Sequence, residues 1–436
     1  MALFEYALVP YLRRLNRRSM RFGPTGENML PVPNPDRPTL LYVHVPFCEA
    51  LCPFCSFHRV QLKRPKADRY FAALRREIRA CKDAGFVFGD VYVGGGTPTI
   101  LPDELRETLQ LIRTLFPIER ISVETNPDHL SSSRLSDLLD MGVNRLSVGV
   151  QSFDDQLLKA MGRYDRYGSG TDILARLQDA GEIFDTLNVD MIFNQPLQSM
   201  KSLQRDIEIL TCNTFADQVS FYPLMPATTT SKAMSKQMGA LSFRNERRYY
   251  ERILAGMQSV YRPATAWCLA RKRGLIDEYI VDHEEYVGLG SGAFSYIDGV
   301  FYSSSFSIDR YLDRIEHGRS GIVMGRRLSE LEQLRYRFLV SLFGLDLDWE
   351  QLRSEYPGSF IGPLRKELLF FTLIGAIRKD GVHYHLTEKG MYYWVVLMRE
   401  FLTGVNNVRD EMRAHIRIER SLSRTGHQEN VLDDVA

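Results

Sequence analysis

Between residues 40 and 224, short apolar runs alternate with longer stretches whose apolar residues recur every three or four positions. The short runs are LLYVHVP at 40, DVYVGGG at 90, ISVETNP at 121, RLSVGVQ at 145, NVDMIFN at 188 and QVSFYPL at 218. Their length and β-branched content predict strands, and segments such as ADRYFAALRREIRACKDAG and PDELRETLQLIRTLF predict the helices between them. Strands that alternate with helices build parallel βαβ units with right-handed crossovers. Six such units, without a seventh and eighth, predict an α/β fold: a partial (β/α)6 TIM-like barrel over residues 39–300.

The flanks follow other patterns. In MALFEYALVPYLRRLNRRSMRF, Leu3, Phe4, Leu8, Tyr11, Leu12 and Leu15 make a helical stripe broken by Pro10, and Arg13, Arg14, Arg17, Arg18 and Arg21 face only Glu5. Residues 1–38 therefore predict a basic amphipathic extension, and residues 1–22 either lie on an anionic membrane surface or dock on the barrel. Over 301–410, LSELEQLRYRFLVSLFGLD and PLRKELLFFTLIGAIRKDG, followed by the β-prone VHYHLTEKG, predict a small helical module of winged-helix type. No basic cluster stands out in it, which favours packing over nucleic-acid binding. Residues 411–436 predict a flexible tail.

Composition narrows the class. With 44% hydrophobic residues in 436, the chain has enough apolar surface for a large core. Its 55 basic and 54 acidic side chains leave a net charge of +1, so no overall field draws nucleic acid. No run approaches the ~20 apolar residues of a membrane span. The chain has six cysteines; Cys81, Cys212 and Cys268 lie far apart, and the pattern fits a reducing cytoplasm, at the inner face of the membrane if the extension lies there.

The other three thiols fall in CEALCPFC, residues 48–55. A structural zinc site takes ligands from two knuckles, and here only His58 offers itself as a fourth ligand. A [4Fe–4S] cluster fits Cys48-x3-Cys52-x2-Cys55 better, because three thiolates anchor three irons and leave the fourth open. Each predicted strand ends in unusual chemistry: Cys48, then Gly94-Gly95-Gly96, then Glu124 and Asn126, then Gln151, with Asp190 inside the fifth strand. The C-terminal strand ends of such a barrel share one rim, so these motifs meet at its mouth. Glycines after the second strand let backbone approach a ligand without Cβ interference. His44, four residues before the first thiol, is expected to face inward, either as a contact to cluster or substrate or as a satisfied barrel histidine.

In order along the chain, YVHVPFCEALCPFCSF, VYVGGGTPT, VETNP, RLSVGVQSF, MGRYD, NVDMIF and YVGLGSGAFSY resemble the radical S-adenosylmethionine (SAM) superfamily. The resemblance is to the branch named after oxygen-independent coproporphyrinogen III oxidase, from about residue 42 to 300. It implies a [4Fe–4S] cluster on Cys48, Cys52 and Cys55 that reductively cleaves SAM to a 5′-deoxyadenosyl radical, fed by a low-potential reductant such as flavodoxin or ferredoxin. By the same resemblance Tyr42, Gly95 and Glu124 contact the SAM on the cluster, while Phe54, Gly96, Thr97, Gln151, Arg163 and Asp190 line a second SAM site.

The chain departs from the oxidase pattern at Phe57, where oxidases carry a further cysteine, at Asn194-Gln195-Pro196 and at Phe294. Two-SAM members lacking the oxidase signature look like class C methyltransferases, and CPFCSFHR most resembles the menaquinone ring methylases. That resemblance implies methyl transfer to an sp2 ring carbon of a quinone. The alternatives are tetrapyrrole chemistry, either coproporphyrinogen decarboxylation or anaerobic haem methylation with ring opening, and haem carriage by a chaperone. In each case the partner is a small molecule and not a nucleic acid.

Overall fold

The computed structural model describes residues 10, 13, 20–25, 30–33, 38–213, 215–225, 227–272, 279–356 and 361–424. All six predicted strands form: β1 (Thr39–Val45), β2 (Phe88–Gly95), β3 (Arg120–Thr125), β4 (Arg145–Gln151), β5 (Thr186–Phe193) and β6 (Gln218–Pro223). They pair in parallel and in chain order. Helices cover the sheet, which is why the strands are apolar on both faces. The first long helix, Arg64–Asp83, buries Ala67, Tyr70, Phe71, Leu74 and Ile78, a stripe at helical spacing.

The sheet runs further than the period-two signal predicts. Tyr286–Leu289 pairs in parallel with β1 on the side away from β2, with Tyr286 opposite Leu40. Phe294–Ile297, Val300–Ser304 and Ile322–Arg327 continue it antiparallel. Beyond β6, Cys268–Ala270 and Arg262–Pro263 extend the other edge, and with Gly23–Pro24 on Ile322–Arg327 the sheet has thirteen strands among the described residues. The GLGSGAF stretch is thus a tight strand connection, and Gly290 and Gly292 take positive φ in its turn. Residue 300 is no boundary, because Val300–Ser304 is registered on Phe294–Ile297.

The C-terminal module combines helices with a small sheet. Helices Glu330–Phe343, Trp349–Glu355 and Ile361–Leu373 pack with a three-stranded sheet of Asp346–Asp348, His383–Leu386 and Ile377–Asp380. A last helix, Glu388–Arg424, runs through much of the predicted flexible tail, and residues 425–436 lie outside the described residues. Among the described residues no helix is long and apolar enough to cross a membrane.

Most of the amphipathic extension also lies outside the described residues. What is described docks on the chain. Arg13 Nε donates to Glu400 Oε2 at 2.8 Å, and that carboxylate is buried, so it needs a cation. Gly23–Pro24 pairs antiparallel with Ile322–Arg327.

Candidate active site: two adjoining cavities

The C-terminal ends of β1 to β6 meet at one cavity. Cys48, Cys52 and Cys55 line it together with Phe54, Gly95, Gly96, Thr97, Glu124, Gln151, Arg163 and Asp190. These are the predicted site residues except Tyr42, and the parallel register is what gathers them.

The glycine turn is held by its own neighbours. Gly96 N–H donates to the Val45 carbonyl at 2.7 Å and Thr97 N–H to the Phe47 carbonyl at 2.8 Å. A Cβ on Gly96 would lie 2.5 Å from the Phe47 oxygen, and Gly95 sits at φ +115° with the His44 ring where its Cβ would be. Close packing on the protein itself therefore demands these glycines, beside any approach to a ligand. Gly96→Ala is expected to cost roughly 1–3 kcal/mol by overpacking. Thermal denaturation and iron content after anaerobic loading should both fall.

Second-layer contacts position the thiols. Thr97 Oγ1 donates toward Cys48 Sγ at 3.8 Å, and Asn126 Nδ2 donates to Thr97 Oγ1 at 2.9 Å. Arg163 Nη1 donates toward Cys52 Sγ at 3.7 Å, while its Nη2 reaches Asn126 Oδ1 at 3.3 Å and the Gly149 carbonyl. Tyr167 lies under the same guanidinium at 4.3 Å. Gln151 ends β4 at φ +76°, beside a register shift between Gly149 and Gln151, so strain is stored where the strand enters the cavity. Asp190 accepts from Ser147 Oγ at 2.9 Å and Asn188 Nδ2 at 2.8 Å, so internal polar contacts hold it in place.

The residues fit an iron–sulfur cluster and not a zinc knuckle. Among the described residues no three His, Cys, Asp or Glu side chains converge on a point where one metal ion would sit. His58, the candidate fourth zinc ligand, is buried away from the thiols, bonded to Ser291 Oγ at 3.3 Å and stacked on His44. Burial pushes the Cys48 thiol up to about 11, with the neighbouring Cys55 adding to it, and burial raises Cys55 as well. Buried thiols of this kind ionise on meeting a metal, which releases their protons. The buried Arg163 Nε has no hydrogen-bond partner, a cost that an anionic ligand in the cavity would remove.

A buried acid anchors the β4 rim. Asp206, in helix Met200–Asn213, accepts from Phe153 N at 2.8 Å and Ser152 Oγ at 2.9 Å, just past Gln151. Burial, opposed by those two bonds, pushes its carboxyl up to about 7. The folded chain then keeps a proton that the unfolded chain loses near pH ~4. Stability therefore falls by about 4 kcal/mol as pH rises from about 4 to about 7, and levels off above. Asp206→Asn is expected to flatten that fall. Urea midpoints across this range are the measurement; a slope equal to wild type would assign the fall to another group.

A second cavity opens beside the first and shares Phe57, Tyr92, Glu124, Tyr222 and Met225 with it. Its walls are mostly aromatic: Phe22, Trp267, Tyr286, Phe294, Phe301, Tyr336 and Phe401, with Met20 and the guanidinium of Arg409. Tyr42 faces this chamber and not the cysteine cavity; its hydroxyl bonds His44 Nδ1 at 2.9 Å, and burial, with the Glu124 carboxylate adding, holds it protonated. His44 Nε2 in turn meets the His58 carbonyl at 2.9 Å, so the ring is satisfied. Glu124 accepts from Tyr92 OH and Gly95 N, both at 3.0 Å.

Sequence reading missed most of this chamber. Its walls come from the N-terminal segment, the barrel, the extra strands, the helix Glu330–Phe343 and the last helix, and no spacing connects them. Two of the family departures, Phe57 and Phe294, do line it, and Arg409 lies over both rings, at 5.5 and 5.7 Å. The third does not reach either cavity. Asn194 and Gln195 are buried in the turn after β5, where Gln195 Nε2 donates to the Ile192 carbonyl at 2.9 Å and to the Gln151 carbonyl at 3.4 Å, so they bear on the cysteine cavity through two residues that line it.

Comparison with known proteins gives this geometry a lineage. Residues 42–209 match the radical SAM superfamily. The heme chaperone HemW of Bacillus subtilis is 31% identical over 288 residues, 63% of this chain and 75% of that protein. The oxygen-independent coproporphyrinogen III oxidase of Escherichia coli is 26% identical over 382 residues, 82% of each chain. The solved structure of coproporphyrinogen III oxidase (HemN) from Escherichia coli shares the fold, with a TM-score of 0.71 at 24% identity over 84% of this chain and 91% of that one. None of these three comparisons is with a methyltransferase. The chain belongs to the radical SAM superfamily, among its HemW- and coproporphyrinogen-oxidase-like members, and its cofactors are the [4Fe–4S] cluster and SAM that the cysteine cavity suits.

Proposed function

We propose that the chain carries out SAM-dependent radical chemistry on a planar conjugated ring held in the aromatic chamber, and that this ring is a tetrapyrrole. One observation carries the ring: a chamber walled by Trp267, Tyr286, Phe294, Phe301 and Tyr336 is continuous with the cavity of the three thiols. Aromatic faces stack on planar rings and exclude water. The tetrapyrrole is supported by the relatives, since a coproporphyrinogen III oxidase aligns over 82% of this chain and a heme chaperone over 63%. Haem fits better than coproporphyrinogen, because Arg409 is the single arginine or lysine in the described lining and haem carries fewer carboxylates.

The cluster and SAM, when bound, supply the one-electron chemistry that removes hydrogen from a C–H bond. Cys48, Cys52 and Cys55 would hold the cluster. Thr97 and Arg163 hydrogen-bond two of those sulfurs and so tune its potential. Glu124, oriented by Tyr92 and Gly95, presents a carboxylate where the cavities join, suited to an ammonium group. The Tyr42–His44 pair faces the ring with a protonated phenol and an imidazole behind it.

The same lining also favours a second reading, methylation of a quinone ring. A chamber with an aromatic wall, in which Arg409 and Glu124 bring opposite charges, accepts a neutral ring. Anaerobic incubation of the reconstituted chain with methyl-labelled SAM separates the readings. Haem or coproporphyrinogen consumed with SAM supports the first, and label on menaquinone supports the second. SAM cleavage that none of these substrates alters would refute both.

A further inference from the structure

The cluster loop carries a cation that its thiol spacing does not announce. Arg59, four residues after Cys55, lines the cysteine cavity together with all three thiols. The loop closes on itself just past it. Phe47–Cys48 pairs in parallel with Val60–Gln61, Val60 N–H donates to the Pro46 carbonyl at 2.7 Å, and Leu62 N–H donates to the Cys48 carbonyl at 2.8 Å. Arg59 therefore leaves a pinned backbone and reaches back across the loop, where its Nη2 donates to the Cys52 carbonyl. Cys55 N–H shares that acceptor at 3.4 Å.

Two guanidinium groups thus bear on Cys52, Arg163 through the sulfur and Arg59 through the carbonyl. The charge of Arg59 also acts on Cys48 and Cys55. Its Nε is buried without a hydrogen-bond partner, and among the described residues no ion pair takes up its charge. The carboxylates of the same lining are held by other groups: Glu124 accepts from Tyr92 OH and Gly95 N–H, and Asp190 from Ser147 Oγ and Asn188 Nδ2. A partly buried cation without a counter-ion costs free energy until an anion arrives beside it. A cluster assembled on its thiolates is such an anion, and reduction by one electron adds to its negative charge.

We infer that Arg59 tunes the cluster toward reduction, its permanent positive charge favouring the reduced state over the oxidised one while its hydrogen bond holds the Cys52 carbonyl in place. A nearby cation lowers the energy of whichever state is more negative, and net charge and hydrogen bonding are among the factors that set the potential of such a cluster. Arginine suits the place because it stays charged at every pH the protein meets, and its planar fork grips a carbonyl while the charge remains in the cavity. The inference concerns the cofactor and stands apart from the identity of the ring substrate.

Redox titration of the full, anaerobically loaded chain, followed by the paramagnetic signal of the reduced cluster and set beside iron per chain, tests it. Arg59→Gln keeps a donor for the Cys52 carbonyl without the charge, Arg59→Met removes both, and Arg59→Lys keeps the charge without the fork. The two neutral variants are expected to hold iron as wild type does and to lower the ratio of reduced to oxidised cluster at a fixed potential about tenfold, a shift of about 59 mV to more negative values for one electron. Arg59→Lys is expected to stay within about threefold of wild type. A neutral variant that titrates at the wild-type potential would overturn the proposal. So would a lysine variant shifted as far as the glutamine one, because charge would then not be the cause. Iron lost from both neutral variants would overturn it too, by making Arg59 a strut of the loop.

Discussion

Cys52→Ala is expected to abolish cluster assembly and with it reductive SAM cleavage, by far more than the 10–100-fold that losing a hydrogen-bond partner of a ligand costs a metal site. The thiol lines the cavity and takes a hydrogen bond from Arg163 at 3.7 Å, so its loss removes a ligand and leaves a buried guanidinium facing a gap. No neighbouring group stands in for it: His58 is held by Ser291, and Cys81, Cys212 and Cys268 are elsewhere in the fold. The readout is iron per chain, visible absorption and 5′-deoxyadenosine after dithionite. Full iron content in this variant would overturn the assignment of the three cysteines, and with it the reading of the whole cavity.

Arg163→Ala is expected to separate the two halves of the chemistry. The three cysteines remain, so iron content and uncoupled SAM cleavage should fall less than product formation, by no more than the roughly 10–100-fold that losing a hydrogen-bond partner of a ligand costs a metal site. Product formation should fall about 100-fold or more, since truncating a buried, hydrogen-bonded charge costs roughly 2–5 kcal/mol. Arg163 joins Cys52, Asn126 and the Gly149 carbonyl in one fork. Lysine offers a point charge without that fork, and Arg163→Lys should not restore turnover. Equal loss of cleavage and product would instead make Arg163 a structural strut of the cluster loop.

Much of the site is legible in the chain because its parts repeat a local rule. A parallel strand buried on both faces must be an apolar run, and its C-terminal end must leave the core, so LLYVHVPFC, VYVGGG and VETNP each announce both a strand and what it delivers. Register does the rest: with six parallel strands in sequence order, their C-terminal ends meet. Eight of the nine predicted cofactor contacts line the cysteine cavity for that reason, and Tyr42 alone turns away, its hydroxyl taken by His44.

The aromatic chamber and the sheet's extensions were not legible in this way. Tyr286–Leu289 is four residues long and joins β1 across more than two hundred positions, and no periodicity marks such a pairing. Arg409 meets Phe57 and Phe294 only because the last helix packs back over the barrel mouth. Sequence by itself determined the thiol spacing, the order of the parallel strands and the rim on which the chemistry sits, since each depends on neighbours in the chain. Tertiary structure alone decided what faces those thiols across the cavity, because walls from distant segments come together by burying apolar surface, and burial is blind to distance along the chain.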